Sequence, residues 1–140
     1  MISSKSFKIL GIEHIGIAMN DNEKIESFLS LLPGIDYTGR ENVEDQMVKT
    51  DIFSINDAKI ELLNSTSSDS TIERYLNKKG NGVHHIALCV DNVENAIVEL
   101  SNNGVEFIDK KPRRGAEDCM IAFIHPKSTG GILFELCQRP

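Results

Sequence analysis

The sequence has no long apolar run and no excess of positive charge, and each absence excludes a class of function. No stretch approaches the ~20 apolar residues that a membrane-spanning helix needs. The opening MISSKSFKIL lacks the apolar segment of a secretory signal. The formal net charge is −6, whereas wrapping nucleic acid requires a dense basic surface. We therefore expect a cytoplasmic protein with neither membrane nor nucleic-acid partners.

Cysteine is also scarce. The sequence has three, Cys89, Cys119 and Cys137, and no two of them have CxxC spacing. An odd number without paired spacing argues against a disulfide framework, so we expect reduced thiols in the core, in a reducing compartment. The remaining composition, 40% hydrophobic and 26% charged over 140 residues, is typical of a single globular domain with a substantial core.

The chain contains one pattern of elements twice. A segment in which polar or small residues alternate with bulky apolar ones predicts a strand, a segment of helical spacing follows it, and a further strand comes later. The pattern predicts an α+β fold of two tandem β-α-β-β-β modules forming one domain over residues 1–140. Strands are expected at 12–19, 58–63, 83–90 and 131–136, and helices at 20–32 and 91–103, with N-caps at Asn20 or Asp21 and at Asp91 or Asn92. Module one spans about 10–64, a linker with a short helix around 70–79 spans about 65–81, and module two spans about 82–138.

Strand alternation separates the adjacent histidines His84 and His85. Neighbours on a strand point to opposite faces. His85 shares its face with the small residues Ala87 and Cys89, whereas the bulky apolar residues on the other face must pack under a helix. The small-residue face therefore lines a cavity. His14 has the equivalent place in the first repeat, so His14 and His85 are the candidate ligands, and His84 is expected to pack or to support a ligand.

Glu61 and Glu135 are also equivalent by the repeat, and each is a single acid inside an apolar strand. Burying a lone carboxylate is costly unless it is paired or binds a metal. We therefore expect both glutamates to converge with His14 and His85 on one divalent ion in a cleft between the modules. Two imidazoles and two carboxylates suit Co²⁺, Mn²⁺, Ni²⁺, Zn²⁺ or Fe²⁺ and neutralise its charge.

The segments KIELLNSTSSDSTI, GVHHIALCVDNVENAI and IAFIHPKSTGGILFEL resemble the methylmalonyl-CoA epimerase family of the vicinal oxygen chelate superfamily. The resemblance runs from about residue 12 to 138, and HHIAL and HPKSTGG are its most specific parts. It implies a glyoxalase-like half-barrel fold, a homodimer and a divalent ion, most often Co²⁺. The implied activity interconverts (2R)- and (2S)-methylmalonyl-CoA by removing and returning the C2 proton through a metal-stabilised enolate. The implied ligands are His14, Glu61, His85 and Glu135.

The same resemblance bears on the catalytic base. The family carries a glutamate in a motif like E-Q-G-V-K before the third strand, where this chain reads ENVEDQMVKT (41–50). Aligning QMVK places Asp45 at the glutamate and Met47 at the glycine, whereas side-chain length favours Glu44. On a strand these neighbours would face opposite ways, so we expect one of them, Asp45, to take the proton. Glu135 is the implied proton carrier on the other side of C2.

The resemblance also implies an acyl-CoA substrate, whose phosphates need cationic partners. Lys110, Lys111, Arg113 and Arg114 form the densest basic cluster, which either holds these phosphates or is a solvated charge run. In the loop HPKSTGG (125–131), Lys127 and Ser128 are candidate substrate contacts, and His125 is either a further contact or a packing residue.

Three other functions remain open. A glyoxalase I acting on a hemithioacetal needs the same metal and a similar proton transfer, although the HPKSTGG loop favours the epimerase. An extradiol dioxygenase binds iron through two histidines and one carboxylate, and Glu61 would crowd that site. A metal-free small-molecule binding protein of this fold would not need the four candidate ligands.

Overall fold

The computed structural model describes residues 6–140, which divide into two compact units. We call His14–His84 the first unit, and His85–Pro140 together with the described residues up to Glu13 the second unit. The expectation that no secretory signal opens the chain rests partly on residues 1–5, which lie outside the described residues. No helix within residues 6–140 has the length and apolar character needed to cross a membrane.

The order of elements follows the predicted repeat, with an additional helix between its two copies. Short 3-10 turns precede β3 and β7, at Glu44–Gln46 and Ala116–Asp118. The elements are β1 (Ile9–Ala18), α1 (Glu23–Ser30), β2 (Asp36–Val43), β3 (Val48–Ile55), β4 (Ala58–Ser65), α2 (Thr71–Lys79), β5 (Gly82–Val90), α3 (Val93–Asn102), β6 (Arg113–Arg114), β7 (Met120–Ile124) and β8 (Phe134–Gln138).

In the first unit the strand order is β2-β3-β4-β1, with β1 parallel to β4 and the other neighbours antiparallel. The bulky residues Ile17 and Met19 of β1 pack in the apolar cluster that contains Leu29 of α1. The opposite face of β1 carries Ala18, which packs with Ile72 of α2. The predicted placement of the bulky face under the helix is therefore confirmed for this unit.

In the second unit the strand order is β5-β8-β7-β6, with β5 parallel to β8 and the other neighbours antiparallel. Helix α3 covers one face, where its Ala96 and Ile97 join a core that includes Leu136 of β8. The opposite face carries a smaller cluster built around Phe123 and Cys137. Each unit thus buries its bulky residues under a helix and leaves a second face for other side chains.

Several predicted boundaries are wrong, among them the start of β1, which lies at Ile9 rather than at residue 12. Helix α1 begins at Glu23, after Asn22 rather than after Asn20 or Asp21. Asp21, one of the two predicted caps, nevertheless accepts from Glu23 N at 2.7 Å, and the Asn22 amide donates to Asp51 and Asn64 at 3.1 and 3.0 Å. Helix α1 also ends at Ser30, two residues early. Strand β8 begins three residues after Gly131, whose φ of 99° turns the chain. The N-cap at Asn92 is confirmed, since its side chain accepts from Asn95 N at 2.9 Å.

Candidate functional site

The first unit contains a buried histidine–carboxylate pair. Strands β1 and β4 place Gly16 beside Glu61, so His14, two residues before Gly16, lies on the same face. His14 Nδ1 is 3.2 Å from Glu61 Oε2, and the two residues are 5% and 4% exposed. A carboxylate buried this deeply is costly without a partner, and the imidazole provides one.

The second unit contains the equivalent pair. Strands β5 and β8 place Ala87 beside Glu135, and His85 lies two residues before Ala87 on that face. His85 Nε2 is 3.1 Å from Glu135 Oε1, and both residues are buried. The structure therefore brings the predicted ligands together as one histidine and one glutamate within each unit.

His84 has different surroundings. Its ring lies 5.0 Å from the Tyr75 ring in an edge-to-face arrangement, and Tyr75 Oη donates to Val83 O at 2.9 Å. Tyr75 belongs to α2, so the contact fastens this helix to the start of β5. This environment agrees with the packing role expected for His84.

Each buried pair offers donors that a divalent ion accepts. It supplies one ring nitrogen and one carboxylate, and both donor types suit Co²⁺, Mn²⁺, Ni²⁺ or Zn²⁺. Neighbouring ligand atoms that bind one ion at ~2.1 Å and at right angles lie about 3 Å apart. The N–O distances of 3.2 and 3.1 Å match this spacing, so each pair fits as two adjacent ligands.

The candidate bases Glu44 and Asp45 are both exposed and lie in the 3-10 turn before β3. They precede β3, as expected, but in a turn and not on a strand, so strand alternation does not decide between them. Met47 ends the turn with φ 55° and ψ 49°, a left-handed conformation that favours glycine. The backbone at Met47 is therefore one that the glycine of the E-Q-G-V-K motif would readily adopt.

The basic cluster is not a single patch. Arg113 Nε donates to Asp109 Oδ1 at 3.0 Å, and its guanidinium carbon lies 5.6 Å from the centroid of the Phe123 ring. Arg114, its neighbour on β6, points to the other face and pairs with exposed Asp118 at 3.5 Å. Lys110 and Lys111 are exposed. Arg113 alone of the two arginines thus shares a face with the buried pair of its unit.

The HPKSTGG loop is held by its own side chains. Lys127 forms an ion pair with Glu106, which lowers the pKa of Glu106 through the hydrogen bond between them. Ser128 Oγ accepts from Glu106 N at 2.9 Å, and His125 Nδ1 accepts from Lys127 N at 3.1 Å. His125 thus contacts its own loop, and the two candidate substrate contacts, Lys127 and Ser128, both interact with Glu106.

Sequence reasoning missed a buried acid in the first unit. Asp51 of β3 is fully buried and accepts hydrogen bonds from Tyr37 Oη and Arg40 Nε, each at 2.9 Å. The hydrogen bond to Asp51 raises the pKa of Tyr37. Asp51 pairs with Leu62 in the β3–β4 register, which places it on the face opposite Glu61. The signal was present, since Asp51 is the one acid in the run VKTDIFSI.

Two further buried polar features lie in the second unit. Glu13 is 1% exposed and forms an ion pair with Arg139, which raises the pKa of Arg139. A hydrogen bond to Cys119, burial and the nearby Glu135 carboxylate raise the pKa of Cys137. All three cysteines are buried and none of them forms a disulfide, as predicted.

Residues 13–123 match the Glyoxalase/Bleomycin resistance protein/Dioxygenase superfamily. The Bacillus subtilis protein YqjC is 38% identical over 91% of each chain, and the mitochondrial methylmalonyl-CoA epimerase of Mus musculus is 31% identical over 97% of this chain and 77% of its own. A variant of Streptomyces coelicolor methylmalonyl-CoA epimerase in complex with 2-nitronate-propionyl-CoA superimposes with a TM-score of 0.88 at 33% identity, over 94% of this chain and 96% of its own. The chain therefore belongs to this superfamily and, within it, to the methylmalonyl-CoA epimerase family. The predicted family and glyoxalase-like α+β fold are confirmed.

Proposed function

We propose that this protein is a methylmalonyl-CoA epimerase that interconverts the (2R) and (2S) substrates. The observation that carries the proposal is the buried histidine–glutamate pair found once in each unit, at 3.2 and 3.1 Å. The names of the mouse and Streptomyces relatives support the reaction, and the substrate analogue bound to the latter supports an acyl-CoA ligand.

In this proposal one divalent ion is bound by ligands from both units, which therefore act as a single domain. The ligands are His14, Glu61, His85 and Glu135. Co²⁺ is the first candidate, with Mn²⁺, Ni²⁺ and Zn²⁺ as alternatives, because the mixed nitrogen and oxygen donors accept each of them. When bound, the ion supplies positive charge that stabilises the negative charge developing on the substrate oxygens. We further propose that the protein is a cytoplasmic homodimer.

The C2 proton of the substrate is flanked by a thioester carbonyl and a carboxylate. Inversion needs one group to take this proton from one side and another group to return a proton on the other side. We assign removal to Asp45 and return to Glu135, with the roles exchanged for the opposite epimer. Met47 supports this register, because its left-handed backbone suits the glycine that follows E-Q in the family motif. Glu44 remains the alternative base.

The CoA phosphates require cationic partners, and Arg113 is the best placed of the basic residues. It lies on the same face as His85 and Glu135, and its side chain is 41% exposed beside Asp109. Arg114, Lys127 and Ser128 are the further proposed contacts to the substrate. Lys127 and Ser128 already interact with Glu106, so each would have to contact Glu106 and the substrate together or exchange one for the other.

The proposal is tested by incubating a single epimer of methylmalonyl-CoA with the protein and Co²⁺ in D₂O and following it by NMR. The expected result is exchange at C2 together with appearance of the other epimer, loss of both after chelation, and recovery when Co²⁺ is added back. A sample without protein gives the background rate. Persistence of the C2 proton contradicts the proposal, and isomerisation of a hemithioacetal by the same protein would support the glyoxalase I alternative.

A further inference from the structure

Phe123 lies against one of the four candidate ligands. The centroids of the Phe123 and His85 rings are 5.5 Å apart and the ring planes make an angle of 82°, an edge-to-face contact. Phe123 pairs with Glu135 in the β7–β8 register and therefore shares the face of the His85–Glu135 pair. The ring is 8% exposed, so packing holds its position.

Two charged residues fix the Phe123 ring in turn. The guanidinium of Arg113 lies 5.6 Å from the ring centroid, within the range of a cation–π contact. Asp109 accepts from Arg113 Nε at 3.0 Å through one carboxylate oxygen and from Phe123 N at 2.8 Å through the other. One carboxylate therefore ties down both the cation and the backbone that carries the ring.

These contacts lead to His85, and the orientation of its ring decides which nitrogen faces Glu135. The outer torsion of histidine is broad and roughly two-fold, so an unsupported imidazole can present either ring nitrogen in one direction. His85 presents Nε2 to Glu135. An edge-to-face neighbour packs against the ring and hinders its rotation.

We propose that Phe123, held by Arg113 and Asp109, is a positioning residue that keeps Nε2 of His85 directed at Glu135. The positioning of His85 is argued from the contacts above. Its consequence, a pair of ligands already oriented for the metal, rests on the proposed metal site. Arg113 then has a second task besides the proposed substrate contact, because its cation also holds the ring that orients a ligand.

The internal repeat offers a natural comparison. In the first unit the residue paired with Glu61 in the β3–β4 register is Ile52, whereas Phe123 occupies the matching position beside Glu135. Both residues are buried. Phe123→Ile therefore replaces the aromatic neighbour of the second unit with the aliphatic neighbour that the first unit already uses.

The test compares Phe123→Ile and Arg113→Gln with Arg114→Gln, a change of equal charge on the opposite face of the same strand. Three quantities are measured: the Co²⁺ dissociation constant, the absorption spectrum of the bound ion, and the ¹⁵N shifts of the His85 ring in metal-free protein. We expect Phe123→Ile and Arg113→Gln to weaken Co²⁺ binding on the order of 10-fold, to shift the spectrum and to mix the His85 tautomers. Arg114→Gln should leave all three unchanged, and Arg113→Lys should restore part of the loss.

The ¹⁵N shifts of the His85 ring report its orientation even if the protein binds no Co²⁺. Folding of each variant is checked by circular dichroism, and Arg113→Gln stands in for Phe123→Ile if the core change unfolds the protein. A parent that binds no Co²⁺ but shows one His85 tautomer, lost in the variants, would contradict the metal site and support the positioning role. Parent-like affinity, spectrum and ring shifts in both variants would overturn the inference.

Discussion

The two units place equivalent residues at equivalent positions, yet they differ around them. Aligning Ile52 with Phe123, the partners of Glu61 and Glu135, also aligns Met47 with Asp118. Both of these residues are left-handed, with φ of 55° and 59°. The turns before β3 and β7 therefore share a left-handed residue at this position, although the second turn has another, Glu117 at φ 55°, that the first turn lacks.

The contents of the two turns are not the same. In this alignment the candidate bases Glu44 and Asp45 of the first unit match Gly115 and Ala116 of the second. The histidine and glutamate proposed to bind the metal thus have counterparts in the repeat, whereas the acids of the second turn, Glu117 and Asp118, lie one and two positions beyond the match of Asp45. A ligand set gains from duplication because one ion accepts equivalent donors from both units, whereas inversion at one carbon requires unlike groups on its two sides.

Removing a proposed ligand from the second unit should have the largest effect. We expect His85→Ala to lower Co²⁺ affinity by more than ~100-fold, the upper end of the effect of removing a residue that only supports a ligand, and to abolish turnover. His84→Ala is the matched control and should keep the metal. Titration with Co²⁺ decides the matter, and loss of metal in His84→Ala with retention in His85→Ala would reverse the assignment.

Substituting the proposed base in the turn before β3 should abolish catalysis without loss of the bound metal. We expect Asp45→Asn to reduce turnover by at least ~10²-fold, the contribution of a positioned base, with metal content unchanged. Glu44→Gln should be mild. A nearly normal Asp45→Asn together with an inactive Glu44→Gln would assign the base to Glu44, and two active variants would count against the proton-transfer mechanism.

The glutamate of the first unit can be tested by a graded pair of substitutions. Glu61→Gln retains an oxygen donor beside His14 and should still bind Co²⁺. Glu61→Ala removes the donor and should weaken binding by at least about 10-fold. Equal affinity of the Ala variant and the parent, measured by competition with a chelating dye, would mean that only the second unit's glutamate contacts the metal.

A smaller effect is expected at a residue that has no equivalent in the second unit. Asp51 matches Ala122 in the alignment, and it alone carries the hydrogen bonds from Tyr37 and Arg40. Asp51→Ala removes the acceptor of three hydrogen bonds and should lower the free energy of unfolding by about 1–3 kcal/mol. The loss is limited because the Asn22 amide keeps Asn64 and the exposed Tyr37 and Arg40 side chains can be hydrated. Urea denaturation measures the loss. Asp36→Ala, an exposed acid on β2, should change stability by less than ~0.5 kcal/mol.

Features that follow from strand alternation could be predicted from the sequence. The faces of His14, His85, Glu61 and Glu135 depend only on the two-residue period of a strand, which the repeat displays twice. The helix around 70–79 could also be predicted, because Ser70 caps it and apolar residues recur at helical spacing.

Features that depend on contacts distant in sequence could not be predicted. The Asn22 amide, just before helix α1, donates to Asp51 and Asn64, which lie on strands distant in sequence. The turn at Glu44–Gln46 carries no glycine or proline to announce it. In the sequence Phe123 is one apolar residue among several in its strand. Its place beside His85 depends on the pairing of β7 with β8 and of β8 with β5.

The central claim is that one proton carrier, Asp45, belongs to the first unit alone and the other, Glu135, belongs to the second. The most direct test gives Asp45→Asn each epimer of methylmalonyl-CoA separately in D₂O with Co²⁺ and follows the C2 proton by NMR, with a protein-free sample as background. Because Glu135 remains, the account predicts that one epimer still exchanges its C2 proton, that the other does not, and that neither converts. Exchange and conversion of both epimers at parental rates would contradict it.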